Sequence, residues 1–381
     1  GHRQSVLDQL IKMVPVLDPP APAAPDVVAK PIIWSIAGND SGGGAGLSAD
    51  QRAAEAFGVH LCPVVAAITA QSSVGVARVE AVSPEVLDAQ LAALADDMPP
   101  AAIKTGLLGS AGTVAVVARW VDKLRARGPV ALVVDPVLGA STGAAFADDA
   151  VLRAYRELLL PRATLLTPNE REARRLVGEG GGGSEQPGSF QSDAAVLPPL
   201  PAGERAGVRG TAHPAPVAVV PALAQALRAQ GTQAVAITGG DSAPAPGWSL
   251  DWIDTPHASG WLALPRIDTR HTHGTGCTFA TSAACAMALG FVAADALVLA
   301  KMATTHALRH GYAAGQGAGP VAARGGFAND PALMPIMSWG DDSDFDSCLR
   351  LIDKRQSAIS SKNANLDLYG IVDSAERVQQ V

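Results

Sequence analysis

The chain has 381 residues, 48% of them apolar and only 4% aromatic, with 39 glycines and a formal charge of −7. That length holds one large domain or two ordinary ones, and the Gly/Ala-rich mix suits an α/β enzyme with close helix–sheet packing. The acidic balance excludes a nucleic-acid binder, which needs a basic face. No apolar stretch is long enough to span a bilayer, because Asp295 breaks the best one, at 288–300.

The first thirty residues end in DPPAPAAPDVVAK and read as a tail, without the basic-then-apolar order of a secretory leader. Short apolar runs then alternate with helical stretches. The runs Ile32–Ala37, Val64–Ala70, Val130–Val134, Thr164–Leu166 and Ala234–Ile237 are continuous and rich in Val and Ile, as strands buried on both faces should be. Amphipathic windows lie between them at 46–57, 84–96, 111–126 and 217–229. This order predicts right-handed crossovers and a parallel sheet with helices on both sides. The Gly/Pro/Ser-rich stretch 178–216 has no period and is expected to be a mobile insert within the domain. Residues 323–365 are weakly periodic, with the acidic patch GDDSDFD, and read as a linker. Four widely spaced cysteines (Cys62, Cys277, Cys285, Cys348) form no CxxC pair, which predicts free thiols in a cytoplasmic setting.

Four segments could carry chemistry. IAGNDSGGGAGLSAD (Ile36–Asp50) is a strand, a glycine-dense turn and a helix, with Asp40 projecting at the strand end as a polar anchor. Its spacing matches neither the dinucleotide fingerprint nor a P-loop, and a tight connection would read the same. In ITAQSSVGV, Gln71 follows a strand directly; its amide both donates and accepts, as the edge of a neutral heterocycle requires. VVDPVLG ends a strand on Asp135, and TPNEREA sets Asn169 and Glu172 three apart. That spacing fits a helix capping box and, equally, part of an oxygen-rich Mg²⁺ corner together with Asp135. Finally, HTHGTGCTFA opens an Ala-rich helix at Gly274, Thr275, Gly276 and Cys277. A helix N-terminus with unpaired N–H groups favours a phosphate, and its dipole is expected to lower the Cys277 thiol pKa. His271 and His273 lack a third metal ligand nearby and are assigned a loop role.

Jointly these segments, with GVHLCPVVAAITAQSSVGV and IKTGLLGS, resemble the hydroxymethylpyrimidine/phosphomethylpyrimidine kinases of thiamine biosynthesis, from about Ile32 to Pro320. The resemblance implies a ribokinase-like three-layer α/β/α fold over 31–322, around a mostly parallel sheet. It implies transfer from ATP with Mg²⁺ to the pyrimidine hydroxymethyl group and then to the monophosphate, in a homodimer. By matching position, Asp40, Gly43 and Gln71 would hold the pyrimidine. Asp135, Asn169, Glu172, Thr238 and Gly240 would hold ATP, with Asp135 and Glu172 on the metal. Gly274, Thr275 and Gly276 would form the anion hole, and Cys277 would accept the hydroxyl proton. The chain departs from the family pattern at Thr238, where many relatives have Lys, and at Ser141-Thr142, where a loop Lys is common. The rival readings are a pyridoxal-type kinase and a non-catalytic pyrimidine-binding module. The final run LDLYGIVDS, within 366–381, resembles the first strand of a thiamine phosphate synthase barrel.

Overall fold

A computed structural model describes residues 29–139, 146–178, 219–239, 245–340 and 343–360. The tail up to residue 28, the insert beyond Gly178, Ser141-Thr142, Gly240 and the run 366–374 lie outside the described residues. The chain divides into Gly1–Lys30 and Pro31–Val381, and the fold below is that of the second unit.

Ten strands make one sheet. In chain order they are β1 (Ile32–Asp40), β2 (His60–Ser72), β3 (Gly75–Ala81), β4 (Ala102–Thr105), β5 (Ala131–Val134), β6 (Leu165–Leu166), β7 (Val235–Ile237), β8 (Trp248–Asp254), β9 (Ser259–Pro265) and β10 (Ile336–Trp339). Their spatial order is β10-β9-β8-β7-β6-β5-β4-β1-β2-β3. The consecutive central strands β7-β6-β5-β4-β1-β2 pair in parallel as the sequence predicts. The outer pairs β2–β3, β7–β8, β8–β9 and β9–β10 are antiparallel; for β2–β3 and β8–β9 the connections are too short for a parallel return.

Helices cover both faces. One layer holds α1 (Gly46–Ala56), α7 (Thr275–Ala288) and α8 (Ala293–Arg309). The other holds α2 (Pro84–Ala95), α3 (Ala111–Arg125), α4 (Asp149–Ala154), α5 (Glu170–Val177), α6 (Val219–Ala229) and α9 (Phe345–Ser360). Alternation along β1 sends Ile33 to the first layer and Trp34 and Ile36 to the second, so the central strands bury both sides. The small residues of α7, including Ala280, Ala283 and Ala284, let that helix sit close against the sheet.

The stretch 323–365 is not the expected linker over its described residues. It supplies edge strand β10, paired with β9, and helix α9, which buries Cys348 and Ile352. A four-residue strand is too short to register as a period, and its pairing is decided by the sheet it joins. All four cysteines are free. No helix among the described residues is long and apolar enough to cross a membrane.

The chain adds β2 on one side of β1 and then β4 on the other. That reversal makes the carboxyl ends of β1 and β4 a topological switch point, the usual place for a ligand crevice in such sheets.

Candidate active site

Helices α1, α7 and α8 start without a side-chain cap, and of these α1 and α7 open onto the switch point. Helices α2, α3, α4 and α5 start on side-chain caps from Ser83, Ser110, Asp148 and Asn169. Helices α1 and α7 start on Ala45 and Gly274 with no side-chain cap. Both uncapped ends lie at the switch point, where open N–H groups and the positive dipole end suit an anion.

At the α7 start, Gly274 has φ +85°, and a Cβ there would collide with the Gly44 carbonyl. Gly is thus required both by conformation and by close approach. Thr275 N–H is spent on the Thr272 carbonyl (3.2 Å), and Thr278 N–H goes to Gly274 (2.9 Å). The donors left for an anion in this turn are those of Gly274, Gly276 and Cys277. Gly276 is exposed, and a Cβ on it would meet nothing within 4 Å.

Asp40 serves its own loop. Its Oδ1 accepts from Gly42 N–H (2.8 Å), while Oδ2 accepts from Gly44 (3.1 Å) and Ala45 (2.9 Å). Oδ2 also lies 2.9 Å from His273 Nε2. Burial works against the ionised carboxyl, but His273 and the loop N–H groups outweigh it and hold its pKa below the ordinary value. A carboxylate can only accept, so His273 Nε2 carries the proton of that bond. Gln71 Nε2 lies 3.3 Å from the same nitrogen, a contact between two donors and not a hydrogen bond, and Gln71 Oε1 accepts from Thr69 Oγ1 (3.3 Å). Asp40, Gln71 and His273 therefore form one cluster, with Gly43 (φ +72°) facing open space beside it. His273 is the residue the sequence reading passed over. The His-x-His spacing drew attention to metal binding, whereas its neighbours come from 202 and 233 residues away.

Between the uncapped ends lies a buried charge cluster. Lys104 donates to both oxygens of Asp50 (3.0 and 3.1 Å) and stands 3.8 Å from Asp135 Oδ2. Asp135 Oδ2 is buried and has no hydrogen-bond partner. Burial, moderated by Lys104 and reinforced by Asp50, pushes the Asp135 carboxyl up to about 6. Cys277 is partly exposed as a residue, but its sulfur is enclosed by this cluster and receives the Gly46 N–H. The expectation of a lowered thiol pKa is overturned. Burial dominates, Asp50 and Asp135 add to it, and together they outweigh Lys104, so the thiol rises to about 12. Lys104 itself stays charged, since Asp50, Cys277 and Asp135 outweigh the cost of its burial. Neither Lys104 nor Asp50 stood out in the sequence as a site residue. The available signal was a lysine inside a short strand whose four residues are all buried.

The third corner lies beyond β5. Asn169 Oδ1 accepts from Glu172 N–H (2.9 Å), and Glu172 Oε2 accepts from Asn169 N–H (3.0 Å), so the capping-box reading is the one realised. Thr238 pairs beside Asn169 and donates its N–H to the Pro168 carbonyl (2.9 Å). Asp135 and Glu172 both act as charges on Tyr155, which places this corner next to the cluster. No group of three or more His, Cys, Asp or Glu among the described residues could hold a metal by itself. A cation here would need ligand oxygens from elsewhere, such as phosphates, and the unpartnered Asp135 Oδ2 fits one.

A three-layer α/β/α sheet whose uncapped α1 and α7 ends converge on a buried carboxylate and a glycine-rich loop defines a ribokinase-like phosphotransferase. The family model for phosphomethylpyrimidine kinase matches residues 40–193 and 212–322. The chain belongs to that family. It is 39% identical over 294 residues to the hydroxymethylpyrimidine/phosphomethylpyrimidine kinase of Synechococcus elongatus, covering 77% of this chain and 97% of that protein. It is 33% identical to the thiamine biosynthesis bifunctional protein of Geobacter sulfurreducens, over 76% of this chain and 51% of that one. Among solved structures, the phosphomethylpyrimidine kinase of Clostridium difficile superposes with a TM-score of 0.55 at 25% identity, over 73% and 100% of the two chains. The pyridoxal kinase of Staphylococcus aureus in complex with pyridoxal superposes with a TM-score of 0.61 at 25% identity, over 77% and 93%. The family match is interrupted at 194–211, inside the expected insert.

Proposed function

We propose that the protein transfers the γ-phosphoryl group of ATP to 4-amino-5-hydroxymethyl-2-methylpyrimidine and then to its monophosphate, the kinase steps of thiamine biosynthesis. The observation that carries this reading is the convergence of the uncapped α1 and α7 ends on Cys277, Asp135 and the Asp40 loop.

In this reading Gln71 and the open backbone at Gly43 bind the pyrimidine, and Asp40 and His273 set the shape of their loop. The hydroxymethyl oxygen bonds to the γ-phosphorus while the bond to the β-γ bridging oxygen breaks and ADP leaves. Gly276 and Cys277 N–H groups face the migrating phosphoryl group, whose charge they stabilise without reorganising. Asp135 is the residue that would hold Mg²⁺, with Asn169, Glu172 and Thr238 around the nucleotide side. When bound, Mg²⁺ neutralises phosphate charge and aligns the chain. Cys277 lies where the hydroxyl proton must leave, and as proton acceptor it must first lose its own. The working unit is a homodimer, which light scattering checks.

A coupled ATP assay with the hydroxymethylpyrimidine and its monophosphate supplied separately tests the assignment. Turnover of both is expected, with pyridoxal a much poorer substrate. Preference for pyridoxal, or thermal stabilisation by the pyrimidine without any ATP consumption, would reject it.

A further inference from the structure

The interior of the switch point holds two carboxylates and a single ammonium. Lys104, on β4, is fully buried. Asp50, on α1, takes both of its short contacts (3.0 and 3.1 Å). Asp50 also accepts from Ser35 Oγ on β1 (2.6 Å) and Thr281 Oγ1 on α7 (2.7 Å). Four elements thus fix that carboxylate and supply all its needs. Asp135 Oδ2 lies 3.8 Å from the same Nζ and accepts no hydrogen bond. With one cation shared so unevenly, the uncompensated negative charge falls on Asp135. A buried charge left in that state is costly unless a counter-ion arrives with the ligand.

We propose that Asp50 is a positioning residue: by holding the Lys104 ammonium to itself, it keeps Asp135 un-neutralised and able to take a divalent cation. This rests on the reading of Asp135 as a cation ligand given above. Without the Asp50 charge, Lys104 has only Asp135 to pair with. Drawing the ammonium in by about an ångström, to hydrogen-bonding distance, would weaken cation binding at Asp135 on the order of tenfold at an intermediate dielectric. Asp50 and Lys104 would then affect metal binding with opposite sign, although they are partners in one ion pair.

The test is Mn²⁺ binding to the full chain in the presence of a saturating non-hydrolysable ATP analogue, which supplies the phosphate oxygens, followed by water-proton relaxation. Asp135→Asn should abolish high-affinity binding. If it does not, Asp135 is no ligand and the underlying reading fails, whatever the other variants do. Asp50→Asn, which changes a single atom of the side chain, should bind Mn²⁺ about tenfold more weakly. The double variant Asp50→Asn, Lys104→Met replaces the pair with neutral groups, a change that buried ion pairs tolerate well. It should bind Mn²⁺ at least as tightly as wild type. In the assay, Asp50→Asn should raise half-saturating Mg²⁺ about tenfold and leave the pyrimidine KM unmoved, whereas a merely structural defect would lower kcat and Tm and leave half-saturation where it was. Mn²⁺ affinity of Asp50→Asn within twofold of wild type would overturn the proposal. So would a double variant that binds more weakly than wild type, and this second outcome decides the matter if Asp50→Asn alone does not melt cooperatively.

Discussion

His273 Nε2 meets Asp40 Oδ2 at 2.9 Å across 233 residues of sequence, and this single bond ties the glycine loop after β1 to the turn that starts α7. Gly44 sits so close beneath the ring that any Cβ there would strike His273 Cδ2. In the function proposed above, the contact would set the spacing between the pyrimidine side and the phosphoryl side of the site. His273→Ala should keep the fold and lower kcat/KM for the pyrimidine by about tenfold to a hundredfold, since small misplacements of reacting groups are expensive. The loss should include a raised pyrimidine KM, with the KM for ATP changed less. Equal rises in both would show that the histidine does not act through the Asp40 loop.

The two glycines of the α7 turn separate folding from function. Gly274 combines φ +85° with a backbone contact that leaves no room for a Cβ. Gly274→Ala should therefore cost several kcal/mol, from strain and from the clash together. Gly276 has ordinary helical surroundings and open space around it. Gly276→Ala should melt within about a degree or two of wild type and yet lose phosphoryl transfer, because the methyl occupies the face the phosphate needs. Unimpaired transfer in Gly276→Ala would move the anion away from this turn.

Much of this was readable in one dimension. Runs such as Ile32–Ala37 and Val130–Val134 announce doubly buried strands, and the glycines around Asp40 and Cys277 mark places where backbone approaches backbone. The two-residue strand β6 lies within the run Thr164–Leu166, whereas β10, with four residues, falls in the stretch that reads as a linker, since its pairing comes from a neighbour distant in the chain. The site failed to be legible for the same reason wherever its chemistry depends on convergence. A helix dipole alone lowers a thiol pKa, but the Cys277 sulfur also lies among Asp50, Asp135 and dense packing, and these reverse the sign. Likewise Asn169-x-x-Glu172 fits a capping box and a metal corner equally as text, and only the paired bonds show the capping box formed.

The raised Cys277 thiol makes its role testable by pH. A thiol at about 12 is protonated throughout the neutral range, and the reactive thiolate fraction grows about tenfold per pH unit below that value. If Cys277 accepts the hydroxyl proton, log kcat should climb steadily from pH 7 to 9 without a plateau. Cys277→Ala should bind the pyrimidine normally and lose on the order of a hundredfold or more in kcat, the usual scale of general base catalysis. A flat profile together with an undiminished alanine variant would remove Cys277 from the proton path.

Asp135 should trade stability for function in a pH-dependent way. Its folded pKa, about 6, lies above the ordinary 3.8, so the folded state holds this proton more tightly than the unfolded chain does. As pH rises from about 4 to 6, the unfolded chain releases the proton first and stability falls; above 6 the full cost of the buried charge is present. A shift of this size corresponds to about 1–3 kcal/mol. Asp135→Asn removes the charge while keeping the shape. In metal-free buffer it should melt higher than wild type at pH 8, by several degrees, and the difference should shrink towards pH 5. Phosphorylation should be lost at every pH. An asparagine variant less stable than wild type at pH 8 would mean that attraction to Lys104 at 3.8 Å outweighs burial and that Asp135 is an ordinary structural ion pair.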